Sequence, residues 1–245
     1  MLYDALWYAV LAGVLGTGLG GLLGVCFPRG SRVLTGRMFR LSAGLMLAVV
    51  FFDLLPEALE LASTGLVCAG IAAGAFIVYL AGEQVHHAAG RRAGRQADAD
   101  MLAAAVVLLL SVVLHNLPEG LVLGSSALTR HGFVTTLLIM AHNLPEGMAM
   151  ALPFVESGQS RLRAVLLCLL AGAPTVAGAA AGYFLGGVSP LFIALCLSVA
   201  AGAMLCTVFG EMTPQACRLA GEEDPVGLAL TIAGTIAGLL IVSAV

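Results

Sequence analysis

Long apolar segments joined by short polar connections run through the whole 245-residue chain. Each segment is near or above the roughly 20 residues that a helix needs to cross the hydrocarbon core of a bilayer, and each is bounded by proline, glycine or charge. This pattern predicts an all-α, polytopic membrane protein with one transmembrane domain over residues 1–245. The eight predicted spans are Ala5–Phe27, Leu41–Leu61, Leu66–Val85, Met101–Ser125, Thr135–Val155, Val165–Leu185, Leu191–Met212 and Val226–Val245.

The composition excludes a large soluble domain. Hydrophobic residues make up 60% of the chain and charged residues only 10%, whereas about 25% of the residues of a soluble domain are charged. The net charge of −3 and the lack of a basic surface exclude nucleic acid as a partner. The expected surroundings are therefore a lipid bilayer.

The distribution of arginine predicts how the chain is oriented in the membrane. All eleven basic residues are arginine, and ten of them lie in the connections before spans two, four, six and eight. Because cytoplasmic connections carry an excess of positive charge, these four are predicted to be cytoplasmic and both termini to lie outside. The expected location is the cytoplasmic (inner) membrane, crossed several times.

Two pairs of segments resemble each other within the chain. Ser42–Ala58 in span two matches Ala200–Ala216 in span seven, and Gly70–Val78 in span three matches Gly234–Val242 in span eight. Since the copies are five spans apart, they cross the membrane in opposite senses, unless apolar low complexity aligns them by chance. The pattern predicts a 3+2+3 inverted repeat, with the substrate site near the midplane. Its parts are a first repeat over residues 1–85, a central pair of helices over 101–155 and a second repeat over 163–245.

The central pair carries the motif His-Asn-Leu-Pro-Glu-Gly twice, at His115–Gly120 and at His142–Gly147. Residues four apart share a helix face, so each helix presents an imidazole and a carboxylate together. A carboxylate deep in hydrocarbon marks a functional site by default, although a His and a Glu could also simply bond each other within a bundle. Imidazole with carboxylate and amide oxygens suits Zn(II), Fe(II) or Mn(II) better than Ca(II). The candidate ligands are His115, Asn116, Glu119, His142, Asn143 and Glu146.

The proline of each motif is expected to release a backbone carbonyl. Pro118 and Pro145 have no N–H for the carbonyls of Leu114 and Ala141, so each helix is predicted to kink and leave one carbonyl unpaired. Such a carbonyl is tolerated in a membrane where it lines a cavity.

Other polar and sulfur-containing side chains are secondary candidates for the ion pathway. Met46 and Met204 occupy matching positions of the repeat, where packing is the alternative role to ligation. Acidic residues toward span ends and a pair of histidines in the cytoplasmic loop after span three are pathway or gate candidates, with ordinary surface charge as the alternative. These are Asp53, Glu57, Glu211, His86 and His87.

At these residues the sequence resembles the ZIP family of divalent-metal transporters, most closely its prokaryotic GufA-like branch. The resemblance covers essentially the whole chain and rests on the duplicated HNxPEG motif. It implies a metal site formed by the six motif residues named above, to which Met46 is added in members with a two-metal centre. Those members carry a glutamate before the proline of span six, where this chain has Ala173. The change removes one carboxylate and argues against a second tightly held ion.

The sequence therefore predicts a transporter and not an enzyme, which moves Zn(II), and related ions such as Fe(II), Mn(II) or Cd(II), into the cytoplasm. The alternative is a membrane-embedded metal-dependent hydrolase, in which the His and Glu side chains would activate water. The inverted repeat and the lack of an HExxH motif oppose this alternative. The glycine-rich faces of spans one, three and eight could pack within the bundle or across a homodimer.

Overall fold

A computed structural model describes residues 2–27, 32–90, 96–126, 132–185 and 189–243. The regular secondary structure in these ranges is entirely helical, which confirms the predicted all-α class. The helices are α1 (Leu2–Cys26), α2 (Arg32–Leu61), α3 (Thr64–Gly90), α4 (Gln96–Ser126), α5 (Gly132–Glu156), α6 (Arg161–Ala171 and Ala173–Leu185), α7 (Pro190–Ala220) and α8 (Pro225–Ser243).

Seven helices of the described ranges are long and apolar enough to cross a membrane, and they comprise every helix except α5. Helix α5 is 25 residues long and has the second HNLPEG motif near its centre. Large apolar side chains are exposed on the outside of the bundle, such as Phe76 on α3 and Leu240 on α8. A continuous apolar exterior suits contact with lipid and not with water. The chain is therefore a polytopic membrane protein, while the count of eight spans stays a prediction.

Several helices continue beyond the predicted spans. Helix α2 begins at Arg32 instead of Leu41, and α7 continues to Ala220 instead of ending at Met212. Helix α3 continues to Gly90, so the prediction that His86 and His87 lie in a loop is wrong. Hydropathy detects only the apolar part of a helix, which lies within the hydrocarbon. The helical hydrogen bonds continue into the polar region, so the helix is longer than the apolar segment. Arg29, Arg91, Arg92, Arg95 and Arg130 lie outside the described residues.

The helices pack most extensively in four pairs, which are α2 with α8, α3 with α7, α4 with α6, and α1 with α5. Glycines allow the backbones to approach closely, because a Cβ added at Gly20, Gly74 or Gly234 would overlap a carbonyl of the neighbouring helix. These glycines belong to α1, α3 and α8. Their faces therefore pack within the chain, which was one of the two alternatives left open by the sequence.

In the part of the chain that the structure describes, three helices contain a short π segment, in which the backbone takes up an additional residue. These segments are Val10–Leu15 in α1, Val50–Leu54 in α2 and Val208–Met212 in α7. The segments in α2 and α7 fall at matching positions of the two similar sequence segments. They contain Asp53 and Glu211, respectively.

An ion pair ties the start of α2 to the connection between α7 and α8. The Arg37 guanidinium donates two hydrogen bonds to the Asp224 carboxylate, at 3.1 Å to Oδ2 and 3.0 Å to Oδ1. These hydrogen bonds hold the pKa of Asp224 below its ordinary value, since they favour the charged form of the carboxylate.

Candidate metal centre

The two HNLPEG motifs face each other across the contact between α4 and α5. His115 Nε2 lies 2.9 Å from Glu146 Oε2, and His142 Nε2 lies 3.0 Å from Glu119 Oε1. Each imidazole therefore pairs with the carboxylate of the other helix. The sequence predicted that each His and Glu share a helix face, but it did not predict this reciprocal pairing.

Burial makes this cluster energetically demanding. All six motif ligand candidates are at most 5% exposed, and that maximum is at Glu119. Buried charge is tolerated only when it is paired and hydrogen-bonded. Each carboxylate uses one oxygen in its His contact, while Glu119 Oε2 and Glu146 Oε1 have no hydrogen-bond partner. Two carboxyl oxygens without a partner are thus left in a site with little access to water.

The two asparagines add two more acceptors of this kind. Asn116 Nδ2 donates to the Ala171 carbonyl at 2.9 Å, and Asn143 Nδ2 donates to the Ala12 carbonyl at 3.1 Å. The amide oxygens Oδ1 of both residues are buried and have no partner. Buried acceptors are nearly always satisfied in folded proteins. Four orphaned oxygens beside two imidazoles therefore constitute a donor set that suits a cation.

The four titratable side chains form two His–Glu pairs and not a ready-made coordination shell. Within the described ranges, no three His, Cys, Asp or Glu side chains are arranged to hold a metal ion together. Both Nε2 atoms contact carboxylates, so an ion that binds through them replaces these contacts with coordination bonds, whereas His115 Nδ1 is buried and has no hydrogen-bond partner.

The two predicted methionines have different surroundings. Met46 is buried and lines a small cavity of about 10 Å³ together with Glu146, Ser111 and Thr207. The Thr207 hydroxyl donates to the Ala203 carbonyl at 2.9 Å and shares a hydrogen bond of 2.6 Å with the Ser111 hydroxyl in the same region. Met204 is fully buried in the main apolar core. The structure thus places the thioether of Met46, but not that of Met204, at a cavity beside the metal-ligand candidates.

Acidic residues of α2 lead from the cluster toward the end of that helix. Asp53 is exposed and close enough to interact electrostatically with His142 and Glu119. Glu57 interacts in the same way with Asp53 and Glu60. The predicted pathway residues Asp53 and Glu57 therefore form an acidic row that adjoins one side of the cluster.

A second polar region lies between α3 and α7. His86 Nε2 contacts Glu211 Oε1 at the edge of a pocket of about 280 Å³ that is also lined by Glu83 and Cys206. His87, the next residue, is exposed. The sequence indicated His86 and Glu211 as separate candidates. It did not predict that they contact each other or that Cys206 lines the same pocket. No short-range signal joins residues so far apart in the chain.

Some residues at the centre were missed altogether. Ser111, Thr207 and the carbonyls of Ala12 and Ala171 were not singled out, because small hydroxyls and alanines in apolar spans read as packing residues. Ala173, which stands where the resemblance implies a glutamate, is exposed. It is thus not part of the buried cluster.

Comparisons with known proteins show the family to which the chain belongs. A family model described as ZIP Zinc transporter matches residues 83–245. The chain is 34% identical to the zinc transporter ZupT of Corynebacterium efficiens over 82% of this chain and 83% of that protein. It is 31% identical to ZupT of Escherichia coli, over 88% and 86% of the two chains, and 29% identical to ZupT of Salmonella paratyphi A, over 93% and 96%. A helical membrane protein with paired His and Glu side chains at its centre and these relatives belongs to the ZIP family of zinc transporters.

Proposed function

We propose that this ZIP family member carries Zn(II) into the cytoplasm through one site between α4 and α5. Its ligands are His115, Asn116, Glu119, His142, Asn143 and Glu146, with Met46 beside them. The observation that supports this site most strongly is the set of four buried oxygens without a partner, next to two imidazoles. Because it belongs to the ZIP family, the chain is a metal transporter and not an enzyme. This membership excludes the hydrolase alternative.

The chemistry of the donors favours a borderline divalent ion. Imidazole nitrogen with carboxylate and amide oxygen suits Zn(II), and to a lesser degree Fe(II) and Mn(II), while Ca(II) takes oxygen ligands alone. Cd(II) is a further candidate because the nearby thioether of Met46 is a soft donor. We expect a single tightly bound ion, since one divalent cation neutralises the two buried carboxylates Glu119 and Glu146 and exposed Ala173 adds no carboxylate.

Charge balance couples the ion to protons. Glu119 and Glu146 bring two negative charges into a buried site, and one divalent cation neutralises both. Without the ion, the charge is balanced when each imidazole of the His–Glu pairs carries a proton, because uncompensated buried charge is very unfavourable. Binding of the ion then requires neutral imidazoles and releases protons. Transport is thus expected to exchange metal for protons at this cluster.

An inverted repeat would give the ion access from both sides in turn. Three features support it: the π segments at matching positions of α2 and α7, the packing of α2 on α8 and of α7 on α3, and the corresponding roles of α1 and α6 toward the two asparagines. The proposed arrangement has eight spans in the cytoplasmic membrane and both termini outside. Asp53 and Glu57 would attract the ion from outside, and Glu211 with His86 would receive it on the cytoplasmic side.

Zinc uptake by reconstituted protein tests this function. In proteoliposomes that contain no peptide substrate, the wild-type protein is expected to accumulate zinc, and the double variant Glu119→Gln with Glu146→Gln is expected to show no uptake above empty vesicles. Glu60→Gln, an exposed acid on α2, is the matched control and should transport normally. Wild-type uptake by the double variant would refute the proposed site.

A further inference from the structure

Helices α1 and α6 both depart from regular geometry where they approach the metal cluster. Helix α1 contains the π segment Val10–Leu15, and α6 is interrupted at Gly172, between Arg161–Ala171 and Ala173–Leu185. Irregular helices in a membrane are unfavourable unless the released backbone groups find partners. The hydrogen-bond partners of the released carbonyls therefore indicate the role of each irregular segment.

In α1 the irregularity releases the carbonyl of Ala12. In a regular α-helix this carbonyl would accept from the N–H of Gly16, four residues on. The Gly16 N–H instead donates to the carbonyls of Leu11 and Gly13. The amide of Asn143 takes the vacant place and donates to the Ala12 carbonyl at 3.1 Å.

In α6 an asparagine amide likewise replaces a backbone N–H as the donor to a carbonyl, here the carbonyl of Ala171. The N–H that would reach the Ala171 carbonyl belongs to Thr175, and it donates to the Gly172 carbonyl at 3.2 Å instead. Pro174 has no N–H to offer. Asn116 Nδ2 supplies the missing hydrogen bond at 2.9 Å.

The two irregular segments lie directly against each other. A Cβ at Gly172 would overlap the Gly13 carbonyl, and a Cβ at Gly13 would lie 2.7 Å from the Gly172 carbonyl oxygen. Side chains larger than hydrogen therefore have no room at this crossing. Each glycine is the residue directly after an alanine whose carbonyl accepts from an asparagine, so the crossing fixes both carbonyls at once.

We infer that the irregular segments of α1 and α6 are positioning elements, which hold Asn116 and Asn143 by their amide nitrogens so that the amide oxygens are available to the transported ion. This inference rests on the proposed function of the site. The free oxygens and the fixed nitrogens are two ends of the same amides, and an amide is the group that can donate to a carbonyl and still offer an oxygen to a cation. Pro174 and Gly172 on α6 thus act on the ion through Asn116, without contact with it.

Replacement of Pro174 tests the inference. Pro174→Ala restores an N–H to α6, allows the helix to become regular and lets the Thr175 N–H compete for the Ala171 carbonyl. Equilibrium titration of the purified protein with zinc is expected to give a Kd about 10-fold above that of the wild type, the usual scale for lost outer-shell partners of metal ligands. Pro153→Ala, which changes another proline inside a helix, is the matched control and should leave Kd unchanged. Pro174→Ser restores the same N–H if the alanine variant does not express.

A double-mutant cycle separates positioning from a purely structural role. If Pro174 acts through Asn116, then Pro174→Ala should change Kd by less than about 2-fold in an Asn116→Ala background. A wild-type Kd for Pro174→Ala, or an undiminished effect in that background, would overturn the inference while leaving the proposed site intact. A wild-type Kd for Asn116→Ala alone would remove Asn116 from the site, and the inference with it.

Discussion

Loss of one carboxylate from the cluster is expected to weaken zinc binding by a predictable amount. Glu146→Gln keeps the shape of the side chain and an oxygen that can accept from His115, which lies 2.9 Å away. It removes one of the two buried negative charges that balance the ion. Loss of one partner of a buried charge pair costs about 3–5 kcal/mol. At about 1.4 kcal/mol for each factor of ten, and with one ligand oxygen retained, Kd should rise by about 100- to 1000-fold.

The measurement is an equilibrium zinc titration of purified wild-type and Glu146→Gln protein at the same pH. Glu119→Gln should behave alike, since Glu119 occupies the corresponding place toward His142. Exposed Glu60 provides the control, because Glu60→Gln removes the same charge from a solvated position. A Kd for both cluster variants close to that of the wild type would refute the reasoning that the two carboxylates neutralise the ion.

An ion pair, a helix contact and the position of Ala173 can each be tested by substitution. The ordinary pKa of an aspartate is 3.8, and the pKa of Asp224 is lower. The contribution of Asp224 to stability is therefore complete above about pH 4 and is lost as pH falls through the lowered pKa. The difference in Tm between wild type and Asp224→Asn should shrink on acidification, and a constant difference would contradict this. Gly74→Ala should destabilise the contact of α3 with α7 by about 1–3 kcal/mol, measured as a lower Tm, while Gly65→Ala on the same helix meets no neighbouring atom and should have no such effect. Because Ala173 is exposed and outside the buried cluster, Ala173→Glu should leave the number of zinc ions bound at saturation unchanged in an equilibrium titration, and a second bound ion would show that this position faces the site.

The sequence was sufficient to predict the class of fold and to name the polar residues that come together at the centre. Long apolar segments report helices in lipid directly, and the duplicated His-Asn-Leu-Pro-Glu-Gly motif is specific enough to nominate the ligand candidates. The ends of the helices were predicted less well, because hydropathy does not report the helical turns beyond the hydrocarbon. His86 was consequently assigned to a loop, although it lies on α3 and contacts Glu211 on α7.

The arrangement of the side chains within the centre could not be predicted from the sequence, for a different reason. The spacing of His115 and Glu119 indicates a shared helix face, but only the packing of α4 on α5 determines that His115 pairs with Glu146. Released carbonyls were expected at the motif prolines, whereas those that hold the asparagines lie in α1 and α6. The Gly-Ala-Pro segment at Gly172–Pro174 was a visible signal for an interrupted helix. The π segment Val10–Leu15 of α1 has no comparable signal, since it contains neither proline nor a polar residue.

Binding of the transported ion to the paired motif residues is tested most directly by X-ray absorption spectroscopy of the zinc-loaded protein. We expect a first shell of nitrogen and oxygen at about 2.0–2.2 Å, with the multiple scattering that is characteristic of imidazole. That imidazole contribution should disappear in the His115→Ala, His142→Ala double variant. A shell dominated by sulfur at about 2.3 Å, or an imidazole contribution that persists in the double variant, would place the ion elsewhere and contradict the account.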